Sequence, residues 1–117
     1  MKIAIVGSRY FGAQVFEALR KEEGVEFSSV VAPAAADRLA LAAQAAGIEV
    51  HVLENPKIVP GAAIAKGTDL IVAAHTHARV SNEALAHSRL GGVGYHPSLL
   101  PRHRGIAAVE WTIQEGD

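Results

Sequence analysis

Three short segments hold the side chains that could do chemistry. The first is Gly7-Ser8-Arg9-Tyr10-Phe11-Gly12, a hydroxyl and a guanidinium between two glycines. Read as a dinucleotide fingerprint, it has Arg9 where a glycine should let the backbone approach a pyrophosphate. Read as a phosphate-binding P-loop, it has Ala13-Gln14 where the lysine and hydroxyl residue belong. Two readings stand: a helix N-terminus whose amides, with Ser8 and Arg9, hold a lone phosphate or carboxylate, or a tight strand-to-helix turn. The second segment is Ala74-His75-Thr76-His77-Ala78-Arg79-Val80. If a strand runs through it, His75 and His77 share a face at a spacing that metal ligation can use. With no carboxylate beside them, no metal is expected, and the alternative is a pocket lining of polar rings. The third is Gly94-Tyr95-His96-Pro97-Ser98-Leu99-Leu100-Pro101-Arg102-His103-Arg104-Gly105. Pro97 biases His96 to extended backbone, which would hold its imidazole at a strand end. Such a histidine with donors nearby suits general acid/base catalysis and stabilisation of a developing oxyanion; a structural turn anchored by Leu99 and Leu100 is the other reading.

The elements that must position these segments follow from the apolar pattern. Ile3–Val6 is a continuous β-branched run, as in a strand buried on both faces, and Phe11–Lys21 follows at helical spacing, with Phe11, Val15, Ala18 and Leu19 on one face. Glu26–Val31 predicts a second strand closed by Ala32-Pro33, and the alanine-rich Ala34–Ala46 a helix stopped by Gly47. Ile48–Leu53 predicts a short strand near an edge, and 55–66 is punctuated by Pro and Gly and only weakly helical. Thr68–Ala74 predicts a fourth strand, Asn82–Ser88 a short helix capped by Ser81, and Gly91–Tyr95 a fifth, glycine-rich strand. Ile106, Val109 and Ile113 predict a last helix over 106–114.

Strands that alternate with helices predict an α/β fold: a Rossmann-like parallel sheet with helices on both faces. Ligands of such sheets bind outside the carboxyl ends of the strands, where the strand order reverses. The three chemistry-bearing segments fall at three of those ends, after Val6, Ala74 and Tyr95.

Composition narrows the function classes. The chain has 117 residues, 50% apolar and 20% charged, enough for one modest core. A formal charge of -1 provides no basic field to recruit nucleic acid or an anionic membrane. With no cysteine there is neither a disulfide framework nor a thiolate site. The apolar runs are too short to span a bilayer, and Met1-Lys2-Ile3 opens on a strand pattern, not a signal peptide. A cytoplasmic protein is expected.

The stretch Tyr95-His96-Pro97-Ser98-Leu99-Leu100-Pro101-Arg102-His103-Arg104-Gly105, followed by Trp111 and Gly116-Asp117, resembles the folate-dependent formyltransferases. It is most similar to the N-terminal hydrolase domain of 10-formyltetrahydrofolate dehydrogenases, and the opening residues 2–22 resemble the start of that domain. The resemblance implies a formyl group carried on N10 of tetrahydrofolate and attacked by a small-molecule amine or by water. It also implies that 10-formyltetrahydrofolate is the formyl donor, that His96 is the catalytic acid/base, and that Ala78, Arg79 and Val80 contact the pterin through their backbone. Ser8 and Arg9 match the loop that meets the acceptor in some members, and Ser98, Leu99, Leu100, Pro101, Arg104 and Gly105 form the family's motif loop.

Two departures accompany it. Gly94 stands where transferases of the family place an asparagine as oxyanion donor, and a glycine has no side chain to donate. The family's catalytic aspartate is expected beyond Asp117. The resemblance therefore implies that residues 1–117 are the N-terminal part of a formyltransferase domain, cut short after a helix and inactive in isolation. A sheet cut there is expected to expose an edge and an apolar face that invite pairing with a second copy. A non-catalytic folate- or nucleotide-binding module of the same fold is the alternative.

Overall fold

A computed structural model describes residues 1–94 with their side chains, and 95 and 108–111 as backbone. The chain alternates β1 (Lys2–Gly7), α1 (Arg9–Arg20), β2 (Glu26–Ala32), α2 (Arg38–Ala45) and β3 (His51–Val52). It continues through β4 (Ile58–Val59), a single 3-10 turn (Gly61–Ala63), β5 (Leu70–Ala74), β6 (Arg79–Val80), α3 (Asn82–Ala86), β7 (Gly92–Tyr95) and β8 (Ala108–Trp111).

Six strands form one sheet in the order β3-β2-β1-β5-β7-β8, parallel except for the last. From β1 the chain first builds outward through β2 and β3, then returns to β5 on the other flank. The order therefore reverses between β1 and β5, which places the crevice expected of such sheets outside Gly7 and Ala74. Those two residues are register partners, as are Ala74 and Tyr95, so β1, β5 and β7 end level with one another.

The alternation of strand side chains feeds two cores. Ala4, Val6, Val31 and Ile71 pack on one face with Leu53, Val59, Ile64, Val80, Ala84 and Leu85. Ile5, Val30 and Ala32 pack on the other with Phe16 of α1 and Leu39, Ala40 and Ala43 of α2. Phe16 is fully buried and its ring lies on that of Phe27, centroids 4.8 Å apart. The sheet is covered on both faces, as the apolar strand runs predict.

Several elements differ from their sequence-based expectation. The helix predicted from Ala34 starts at Arg38, because Asp37 takes the N-cap position and its carboxylate accepts from the Leu39 amide at 2.9 Å. A capping acceptor outweighs the helix preference of three alanines. The strand predicted over 48–53 shrinks to His51–Val52, at the edge of the sheet. The weakly helical 55–66 instead supplies β4, which pairs in parallel with β6 as a separate two-stranded sheet. On α1 the predicted shared face is kept: Phe11, Val15, Ala18 and Leu19 together line an apolar cavity of about 430 Å³ with Ile3, Leu70, Val72 and Val93, while Gly12 and Phe16 are buried.

The helix predicted over 106–114 is overturned where it is described. Ala108–Trp111 is a strand running antiparallel to β7, with Val93 opposite Glu110 and Gly94 opposite Val109. Val109 and Trp111 also fit a period of two, and the backbone edge of β7 offers hydrogen bonds that an isolated turn of helix does not replace. The caps follow the sequence more closely: the Ser81 hydroxyl accepts from the Ala84 amide at 3.1 Å, as expected for the start of α3.

Candidate functional site at the strand ends

The glycines of the first segment are explained by close packing. A Cβ on Gly7 would lie 2.5 Å from the carbonyl oxygen of Ala74, and one on Gly12 would lie 3.3 Å from the same oxygen. Both positions let α1 and β1 approach the end of β5, and neither requires a nucleotide. This packing brings Ser8 against the second segment. The Ser8 amide donates to the Ala74 carbonyl at 3.2 Å, and its hydroxyl donates to the carbonyl of His75. The same Oγ lies 3.2 Å from His75 Nδ1. Ser8 occupies the N-cap of α1 without using its side chain as a cap; the hydroxyl reaches across the crevice instead.

The first amide of α1 has its own acceptor. Both carboxylate oxygens of Asp37 accept from the Arg9 amide, at 3.0 and 3.1 Å, while Asp37 also caps α2. A carboxylate thus sits at this helix N-terminus, as the sequence allows, but it belongs to the chain itself. The Arg9 side chain is exposed.

Backbone geometry is unusual at two neighbouring positions. Arg9 has φ of 63° and His75 of 59°, the only non-glycine residues with positive φ among those described. The left-handed region costs an L-residue about 1–2 kcal/mol, so the surrounding hydrogen bonds must hold each one there. Strand β5 accordingly stops at Ala74, and the expectation that His75 and His77 follow as strand residues does not hold. Their rings nevertheless meet edge to face, 5.6 Å between centroids and 78° between planes. His75 is half-buried and His77 exposed.

Ala78, Arg79 and Val80 form the far wall. Thr76 Oγ1 accepts from the Ala78 amide at 3.0 Å, while the Arg79 and Ser81 amides donate to the carbonyls of Lys57 and Val59 at 2.8 and 3.1 Å. In a parallel ladder this turns the N–H and C=O of Val80 to the edge opposite β4. The Val80 side chain is buried and Ala78 packs on the same core, so this backbone edge is rigidly mounted. Sequence reasoning missed β6, whose two residues are too few to show a period.

Gly94 is buried in β7 between Ala73 and Val109 and carries no side chain that could donate to a developing oxyanion. His96, Ser98, Leu99, Leu100, Pro101, Arg104 and Gly105 lie outside the described residues. His96 directly follows Tyr95, the last residue of β7, in the sequence.

The crevice between β1 and β5, with β7 level beside them, lies at the end of the sheet where doubly wound folds bind their ligands. The family pattern described as "Formyl transferase" matches the whole of this chain, residues 1–117. The chain belongs to the formyl transferase family. It is 35% identical over 128 aligned residues to the cytosolic 10-formyltetrahydrofolate dehydrogenase of Homo sapiens, an alignment covering 100% of this chain and 14% of that protein. It is 33% identical to the mitochondrial 10-formyltetrahydrofolate dehydrogenase of the same species, again over 100% of this chain and 14% of the relative. The chain therefore spans a small part of these relatives' length. Its fold is that of the phosphoribosylglycinamide formyltransferase of Coxiella burnetii, with a TM-score of 0.63 at 16% identity over 95% of this chain and 65% of the other. The chain contains no helix among its described residues long and apolar enough to cross a membrane. Nor do its described residues include a cluster of three or more metal-ligating side chains.

Proposed function

We propose that this chain is the N-terminal part of a domain that transfers or hydrolyses the formyl group of 10-formyltetrahydrofolate. The observation that carries the reading is that a match to 10-formyltetrahydrofolate dehydrogenases spans every residue of the chain, while Ser8 and His75, from two of its chemistry-bearing segments, meet at the reversal point of the sheet. The reduced folate supplies the formyl carbon. Ala78, Arg79 and Val80 would hold the pterin, a flat ring with donors and acceptors along one side. The Val80 N–H and C=O, aimed away from β4, suit such an edge, and the apolar Ala78 suits the ring face.

His96 is the acid/base residue of this reading. A nucleophile adds to the formyl carbon and the tetrahedral centre collapses with loss of N10; His96 assists both stages, as a hydrogen-bond donor to the developing oxyanion in the first and as the acid toward N10 in the second. Ser98, Leu99, Leu100, Pro101, Arg104 and Gly105 are the motif loop that sets its position. The Ser8-Arg9 loop borders the acceptor, with Arg9 exposed and the Ser8 hydroxyl committed to His75. Gly94 removes one oxyanion donor, whose loss typically costs on the order of a hundredfold in rate, and this departure resembles the hydrolase branch of the family more than its transferases.

Turnover of 10-formyltetrahydrofolate by the full-length protein, with and without an amine acceptor, tests the proposal. His96→Ala should abolish it, and an unchanged rate would sink the assignment. A second reading, a folate-binding module without chemistry, is favoured by Gly94; calorimetric binding of a reduced folate without turnover would decide for it.

A further inference from the structure

We infer that Ser8 and His75 make a second proton-transfer device in this crevice, with Nε2 of His75 accepting the proton that the attacking amine or water gives up. The inference deepens the formyl-transfer reading above and rests on it. Its basis is a proton count at one atom. The Ser8 hydroxyl has a single hydrogen, and its bond to the His75 carbonyl uses it, because a carbonyl only accepts. Toward Nδ1, 3.2 Å away, Ser8 Oγ can therefore only accept, so Nδ1 must carry a hydrogen. In the neutral ring that leaves Nε2 with a bare lone pair, which is the form a base requires.

The surroundings suit a working base better than a structural loop. His75 stands at the end of β5, beside β1 at the reversal of strand order, with β7 ending level with it. A loop without a task would be served at φ 59° by glycine; a histidine held there keeps an imidazole in place against a backbone preference. Ser8 is buried and gives up its helix-capping role to bond His75, so Ser8 is the positioning residue and His75 the group that reaches solute. Among the described residues, His77 lies edge-on to the His75 ring, and Arg9, with the Asp37 carboxylate on its amide, follows Ser8 in the chain. None of them bonds the ring more directly than Ser8.

In this step the nucleophile's lone pair forms the bond to the formyl carbon and its proton passes to Nε2; the C–N10 bond then breaks, and N10 leaves with a proton from His96. His75 returns its proton to solvent, and His96 takes one up.

His75→Asn tests this in the full-length protein. Asparagine tolerates positive φ and can offer Ser8 an N–H, but it does not titrate. With 10-formyltetrahydrofolate as probe, kcat should fall on the order of a hundredfold, with KM and the melting temperature near their wild-type values. Ser8→Ala should lower kcat less, and nitrogen NMR of labelled histidine should show His75 protonated at Nδ1 in the wild type and redistributed between tautomers in Ser8→Ala. A wild-type rate in His75→Asn, or an Nε2-protonated ring in the wild type, overturns the inference while leaving the formyl-transfer reading intact. A wild-type protein that turns over no formyl donor overturns both, and is recognised because the failure then precedes any substitution.

Discussion

Ser8 and His75, 67 residues apart in the chain, are joined across the ends of β1 and β5 by a hydroxyl that donates to the His75 carbonyl and lies 3.2 Å from its Nδ1. Because Ser8 is buried, Ser8→Ala leaves the carbonyl and the ring nitrogen without their partner in a site poorly reached by water. The expected loss is about 1–3 kcal/mol of folding stability, read from urea unfolding at neutral pH. A change below a few tenths would mean that water replaces the hydroxyl.

Gly7→Ala tests the close approach of the same two strands. Its Cβ would stand 2.5 Å from the Ala74 carbonyl oxygen, a backbone atom with nowhere to rotate. Either β1 or β5 must shift, which should cost about 1–3 kcal/mol, comparable to overpacking in a core. Gly24→Ala is a useful contrast, since nothing lies within 4 Å of its Cβ and only its φ of 84° resists substitution. The melting temperature of Gly7→Ala should therefore be restored by no nearby side-chain truncation.

Asp37→Ala removes two acceptor roles at once. The carboxylate caps α2 through the Leu39 amide and also serves the Arg9 amide at the start of α1, where a negative charge meets the positive end of the helix dipole. A cap alone is worth about 1 kcal/mol, so a total of about 2 kcal/mol is expected from thermal or urea unfolding. Asp37→Asn should recover part of the cap and little of the charge contribution, and increasing salt should narrow the stability gap between the wild type and Asp37→Asn.

Asp69 sets an acid limit on stability. Its carboxyl is held below the usual carboxylate range, first by the Lys2 amide at 2.8 Å and then by the Arg89 guanidinium at 3.1 Å, with partial burial opposing them. A carboxylate whose folded value is depressed stabilises the fold above its unfolded value and loses that contribution as pH falls through the folded one. The stability difference between wild type and Asp69→Asn should therefore be full at neutral pH and shrink as pH drops through and below the ordinary carboxylate range. Solvent screening at a side chain 24% exposed keeps the effect modest. A difference that grows on acidification would contradict the assignment; equilibrium unfolding across pH measures it.

Much of the architecture was legible along the chain. The apolar runs at Ile3–Val6 and Thr68–Ala74 hold strands, the second as Leu70–Ala74, the helix after Gly7 is where its spacing puts it, and Ser81 caps α3. These features depend on neighbours in sequence, where periodicity and capping chemistry act. The stretch from Tyr95 to Gly105 carried the family resemblance that the whole-chain match bears out. Short or edge elements were less legible: β4 and β6 exist because each offers the other a ladder, and 108–111 is a strand because β7 presents an open edge.

The sequence by itself determined the α/β alternation, the absence of cysteine, and that polar segments would follow the ends of β1 and β5. The tertiary structure decided which of them touch. Only the order β2-β1-β5-β7 sets Ser8 beside His75, brings Asp37 to the Arg9 amide, and holds Arg9 and His75 at positive φ. The physical reason is that each of these contacts joins residues separated by 28 to 67 positions, so no local preference encodes it; strand pairing closes those distances, and the hydrogen bonds it permits then fix the tautomer, cap and backbone angle that give the crevice its chemistry.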